Sequence, residues 1–100
     1  MNTDNGSGGA IRRFAGSGAD AYRDYRSWKK WARAYLIVQR AKGTPATALG
    51  PMLFTLLDDV AARALEVVDM DELEQDGGES LIFDTLDSRF PDVAAHDRLG

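Results

Sequence analysis

Four groups of residues in this chain have types and spacings that chemistry could use. Asp69-x-Asp71 opens the acidic run DMDELEQDGGES in the manner of a calcium-binding loop. The run then departs from that pattern: its fifth position is Leu73, its sixth is Glu74 where the sharp turn needs glycine, and its twelfth is Ser80 where a bidentate carboxylate belongs. Gly16-Ser17-Gly18 has the small residues of a phosphate-cradling loop, yet no apolar strand precedes it and no Gly-Lys-Ser/Thr follows. His96, the only histidine, sits beside Asp97 without a serine or cysteine nucleophile in a recognisable elbow, and reads as a surface residue. Gly77-Gly78-Glu79-Ser80-Leu81 sets a serine hydroxyl behind two glycines, which reads most simply as a linker followed by a helix N-terminus. Chemistry at a catalytic or metal centre is therefore not expected, and neither is a cofactor.

A different kind of chemistry is written on the stretch AYRDYRSWKKWARAYLIVQRAK, residues 21–42, which holds both tryptophans and all three tyrosines. At 100° per residue, Tyr25, Trp28, Trp31, Ala32, Tyr35, Leu36 and Val38 crowd one arc of a helix. Arg23, Arg26, Lys30, Arg33 and Arg40 follow on the opposite side, with Ile37 in their midst. Aromatic rings facing away from the bases read as core and not as a platform for stacking nucleic-acid bases. The basic arc is then left outward as a surface for protein or for phosphate.

Charge is divided along the chain in the same sense. Residues 12–42 carry nine bases against Asp20 and Asp24, a balance of +7; residues 43–100 carry thirteen acids against Arg63, Arg89 and Arg98, a balance of −10. Such asymmetry suits a nucleic-acid face, a solvated helix face beside its own acidic neighbours, or two surfaces that attract each other. Two unlike surfaces on one subunit favour a heterologous, head-to-tail contact between copies, with Ile37 as its apolar centre and the bases as its rim. Direct binding of RNA by this arc has to overcome a net acidic body, so any RNA contact is expected through regions beyond this chain.

The elements that must hold this arc are helices. One hundred residues make one domain of ordinary globular composition, and the absence of cysteine removes disulfides and thiolate zinc sites together. Signal-peptide length, a myristoylated glycine and an apolar run long enough to span a bilayer are all missing, so a cytoplasmic protein that does not enter the membrane is expected. Residues 1–13 read as a disordered arm and 14–100 as the domain, with Phe14 the first core residue. The first helix is expected to run from an Asp20 cap to Gly43, and Thr44-Pro45 to open the second. Gly50-Pro51 should kink or restart that helix, and Asp58-Asp59 should split it by capping a new one at Val60. ESLIFDTLDSRF forms the last solid helix before Pro91, and Val93, Ala94, Ala95 and Leu99 begin a further one. The expected fold is all-α, a compact bundle of four to five short helices. Trp28, Tyr35, Leu53, Leu56, Leu65, Phe83, Leu86 and Phe90 are its expected core.

Taken in order, Phe14-x-Gly16, then Tyr22, Tyr25, Trp28 and Tyr35 on a long first helix, then Pro51-x-Leu53-x-x-Leu56 to Ala61, then Leu81, Leu86 and Phe90, the chain resembles the N-terminal capsid lobe of a Gag protein from a long-terminal-repeat retrotransposon, Copia-like in particular. Where such lobes commonly carry Leu-x-Gly-x-Ala, this chain reads Leu57-Asp58-Asp59-Val60-Ala61. The resemblance implies a non-enzymatic structural protein that self-associates through helix faces into a shell or lattice around RNA. A second resemblance is local: in acyl and peptidyl carrier domains a similar Gly-Gly-x-Ser-Leu places the serine that receives phosphopantetheine, which would give that role to Ser80. A helical adaptor or nucleic-acid-binding module is the remaining alternative.

Overall fold

A tryptophan on a helix can bury more apolar area than any aliphatic residue, and Trp28 sits at the middle of the buried stripe of the longest helix, with Tyr25, Ala32 and Leu36. The computed structural model describes residues 11–91. Most of the expected arm, the expected helix from Val93 to Leu99, and His96 lie outside the described residues. The chain forms α1 (Ala21–Ala41), α2 (Ala46–Phe54), α3 (Asp59–Ala64), a 3-10 turn (Leu65–Val67), α4 (Met70–Leu73) and α5 (Gly78–Arg89). The all-α bundle is as the periodicity predicts, with one isolated parallel bridge, Phe14 to Leu57, among the described residues.

That bridge ties the entering segment to the bundle. The Phe14 N–H donates to Leu56 O at 2.9 Å, Asp58 N–H donates to Phe14 O at 2.9 Å, and Ala61 N–H donates to Ala15 O at 2.8 Å. The Phe14 ring then lies 5.6 Å from both Tyr25 and Trp28 and 5.2 Å, edge-on, from Phe90. Gly16 follows with φ 75°, and a Cβ there would come within 2.6 Å of the Phe90 ring, so both its backbone angle and its lack of a side chain are required. Arg12 and Arg13, which composition assigns to the arm, are held as well. The Arg12 carbonyl accepts the Trp28 indole N–H at 2.9 Å, and the Arg13 guanidinium donates twice to Asp58, at 2.8 and 2.6 Å. These hydrogen bonds from Arg13, and its charge, hold the Asp58 carboxyl below its ordinary pKa.

Several elements differ from their expected form. α2 runs through Gly50 and Pro51 without restarting, because Leu49, Gly50 and Leu53 are all buried and packing overrides the lost backbone donor of the proline. It also begins one residue later than Thr44-Pro45 suggests, since the Thr44 hydroxyl donates to Gln39 Oε1 at 3.0 Å instead of capping. Asp58 does precede a new helix, α3, which leaves two short helices in place of a rod. Asp59, its first residue, has φ 48°, a left-handed angle that glycine adopts freely and aspartate more readily than most residues. The acidic run is not all loop: Met70 to Leu73 makes one helical turn that drives Leu73 into the core. In the core, Trp28, Leu53, Leu56, Leu65, Leu86 and Phe90 are buried as expected. Tyr35 and Phe83 are half-buried at its edge, and Val38, on the predicted apolar arc, is 49% exposed.

Trp28→Ala is expected to lower the free energy of unfolding in urea by about 3 to 5 kcal/mol, as a large-to-small change in a packed core. Asp59→Gly should leave stability unchanged or raise it by up to about 1 kcal/mol, the left-handed strain relieved outweighing the exposed ion pair lost to Arg63. Asp59→Val, with a branched side chain at the same angle, should instead destabilise by about 1 to 2 kcal/mol.

Candidate interaction surface

Helices α1 and α5 run antiparallel, as their side-chain partners show. Near the start of α1 the Tyr25 hydroxyl donates to Asp87 Oδ1 at 2.5 Å, and the Lys29 ammonium donates to the same carboxylate at 3.0 and 3.1 Å. Near its end the Arg40 guanidinium donates to Glu79 Oε2 at 2.5 Å, at the first turn of α5. Burial, then the hydrogen bond to Asp87 and the negative charge there, push the Tyr25 phenol well above its ordinary pKa, so it stays a neutral donor. Tyr25 is thereby held as a strut between the helices.

Because the aromatic stripe faces inward, the basic stripe faces out, and beside it the two helices leave an open groove of ≈ 580 Å³. Arg26, Lys29, Lys30 and Arg33 of α1 line one wall, and Asp87 of α5 stands on the other. Ile37, Ala34 and the edge of Phe90 supply its apolar part. Ile37 is 64% exposed. Among the described residues Lys30 and Arg33 have no carboxylate within ion-pairing distance, whereas Lys29 is held by Asp87. A groove with an apolar floor and a cationic wall can accept an apolar side chain framed by carboxylates or, with less use for Ile37, a run of phosphates.

Of the residues that helical spacing groups together, the structure therefore keeps Arg26, Lys30, Arg33 and Ile37 on this groove. Arg23 lies outside it, with its guanidinium 5.8 Å from the centre of the Tyr22 ring. Arg40 is drawn to the other end of α5 by Glu79. Lys29, Phe90 and Asp87 join the site, and the last two could not be assigned to it from sequence because they come from a helix some fifty residues away.

The Gly77-Gly78-Glu79-Ser80-Leu81 stretch has an architecture of its own. Gly77, at φ 91°, turns the chain into α5, and a Cβ on Gly78 would overlap the Leu73 carbonyl. A Cβ on Gly50 would overlap the same carbonyl, so α2, α4 and α5 meet at these two glycines. Glu79 is 7% exposed, bound to Arg40 through one oxygen, while its Oε1 has no partner among the described residues. Ser80 is exposed at the first turn of α5. The backbone angle thus accounts for Gly77, close packing for Gly78, and the ion pair with Arg40 engages Glu79. The Gly16-Ser17-Gly18 loop borders a second hollow of ≈ 270 Å³ with Arg12 and Arg13, but the Arg13 guanidinium is taken by Asp58.

Among the described residues no group of three or more His, Asp or Glu is placed to hold a metal ion, and no helix is long and apolar enough to cross a membrane. No family model, no curated protein and no solved structure matches the chain.

Incubation with a phosphopantetheinyl transferase and coenzyme A, read by intact mass, is expected to leave Ser80 unmodified. A stoichiometric adduct that disappears in Ser80→Ala would make this a carrier domain instead.

Proposed function

We propose that this domain is a non-enzymatic structural module whose copies associate through the outward face of α1, in the manner of a Gag capsid lobe that assembles into a shell or lattice around RNA. The observation that carries the reading is Ile37, a large apolar residue 64% exposed on a groove whose wall is otherwise cationic. An isolated exposed isoleucine is ordinary on a protein surface; one flanked by a groove and framed by bases has the form of an interface centre with a polar rim.

Features of the fold support the capsid-like resemblance. Phe14-x-Gly16 is the segment that fastens the chain entrance to α1, α3 and α5, so this pair is structural at the place where the resemblance uses it. Asp59, which replaces the glycine of the Leu-x-Gly-x-Ala turn, has the left-handed angle that a glycine there would supply. The tight crossing at Gly50 and Gly78 and the ion pair of the buried Glu79 with Arg40 give these residues structural roles at the first turn of the last helix. Assembly, and not turnover, is the function these surfaces suit.

Charge at the rim mainly speeds encounter, and a buried apolar anchor mainly slows dissociation. Self-association is therefore expected to be weak, and to fall as salt is raised beyond the concentration at which the Debye length is about 8 Å. Ile37→Asp should weaken it by more than about tenfold in sedimentation equilibrium, with an unchanged helical circular dichroism spectrum. A protein that stays monomeric at high concentration and low salt but binds single-stranded RNA with a steep salt slope would make the basic face a phosphate surface, the nucleic-acid alternative.

A further inference from the structure

If copies associate through the groove of α1, as proposed above, the second copy must present a surface of opposite character. Such a surface is present on the same chain. From Ala64 to Ser88 there is not one lysine or arginine. Within this span Glu66, Asp69, Asp71, Glu72, Glu74 and Asp76 are all exposed, and none has an ion-pair partner among the described residues. Between them stand two of the few large apolar side chains that the fold leaves outside: Val67 at the end of the 3-10 turn, 82% exposed, and Met70 at the start of α4, 42% exposed.

Local structure explains why these two project. Leu65 and Leu73 are buried and anchor the two ends of the segment. Val68 and Asp69 between them are extended, with ψ near 127° and 146°, so the chain turns a corner over the core. Val67 and Met70 lie on either side of the bend. An acidic frame around apolar tips is the converse of the groove, which has bases around Ile37 and the edge of Phe90.

The two surfaces do not meet inside one subunit: among the described residues none of these carboxylates is within ion-pairing distance of Lys30 or Arg33. α4 lies at the N-terminal end of α5, with the Leu73 carbonyl against Gly78, whereas Lys30 and Arg33 are exposed on the outward face of α1. A surface and its complement placed apart on one subunit make a heterologous contact, which propagates from copy to copy.

We infer that the occupant of the α1 groove is the corner between the 3-10 turn and α4 of a second copy, with Val67 and Met70 seated toward Ile37 and Phe90, and Asp71 and Glu74 facing Lys30 and Arg33. The acidic frame steers the approach to the basic wall, and the apolar tips displace water from the floor. Each subunit uses its groove once and its corner once.

The test uses two full-length variants, Ile37→Asp with an intact corner and Val67→Asp with an intact groove. Both changes are at exposed positions, and thermal unfolding by circular dichroism checks that each variant folds as the wild type does. Alone, each should sediment as a monomer where the wild type associates; mixed in equal amounts, they should form a heterodimer that grows no further. In a parallel pair, Lys30→Glu with Arg33→Glu in one protein and Asp71→Lys with Glu74→Lys in the other should regain association on mixing that neither shows alone. If the wild type associates and Ile37→Asp does not, but Val67→Asp associates as the wild type does or the mixture forms no heterodimer, the corner is not the occupant and only this inference falls. A wild type that is monomeric at every concentration and salt, with or without binding to single-stranded RNA, removes the self-association reading together with it.

Discussion

The packing of the Phe14 ring against Tyr25, Trp28 and Phe90 is the contact on which the rest of the structure depends. It joins the entering segment, the longest helix and the end of the last helix at one point, with centroid distances between 5.2 and 5.6 Å. Rings at these distances and tilts gain directional interaction beyond the area they bury. Their placement also fixes the rotation of α1 about its axis. Turned by one residue, α1 would move Trp28 off Phe14 and bring a basic side chain toward the core, where an unpaired charge is strongly disfavoured. The outward position of Lys30, Arg33 and Ile37 is thus a consequence of where Trp28 must lie.

The second constraint is steric and acts at the other end of α5. Gly50 and Gly78 let the backbones of α2, α4 and α5 approach the Leu73 carbonyl more closely than any side chain would permit. That close approach brings Glu79 under the end of α1, where Arg40 reaches it. A partly exposed guanidinium bound to a buried carboxylate keeps one charge from being stranded, which matters more for holding the geometry than for net stability. α1 and α5 are therefore tied at both ends, by Tyr25 and Lys29 to Asp87 at one and by Arg40 to Glu79 at the other.

Much of this was legible in the residues themselves. The 3.6-residue period of residues 21–42 gives most of the buried and exposed positions of α1, including the exposure of Ile37, because which residues share a helix face depends only on their spacing. What depends on neighbours was not. Val38 falls on the apolar arc yet is left half exposed, and Leu73 is surrounded by acids in sequence but by apolar residues in space. Pro51 ordinarily signals a break, yet Leu49 and Leu53, buried on either side, hold the helix through it. Phe90 and Asp87 complete the groove only because α5 returns alongside α1. The burial of Glu79 is likewise set by two glycines, one of them nearly thirty residues earlier in the chain.

The two tryptophans, one helical turn apart, occupy opposite optical environments. Trp28 is sealed in the core with its indole N–H bonded to a carbonyl, while Trp31 is half-buried and stacked on Tyr35 with ring centres 5.0 Å apart. Neither ring lines the groove, so the native emission spectrum is the sum of a shielded indole and a partly hydrated one, and each can be silenced separately. With Trp31 replaced by phenylalanine, the remaining signal reports on the sealed core alone; with Trp28 replaced, it reports on the flank of α1. The chain carries within a single helix an intrinsic fluorophore for global unfolding and another for changes along its surface.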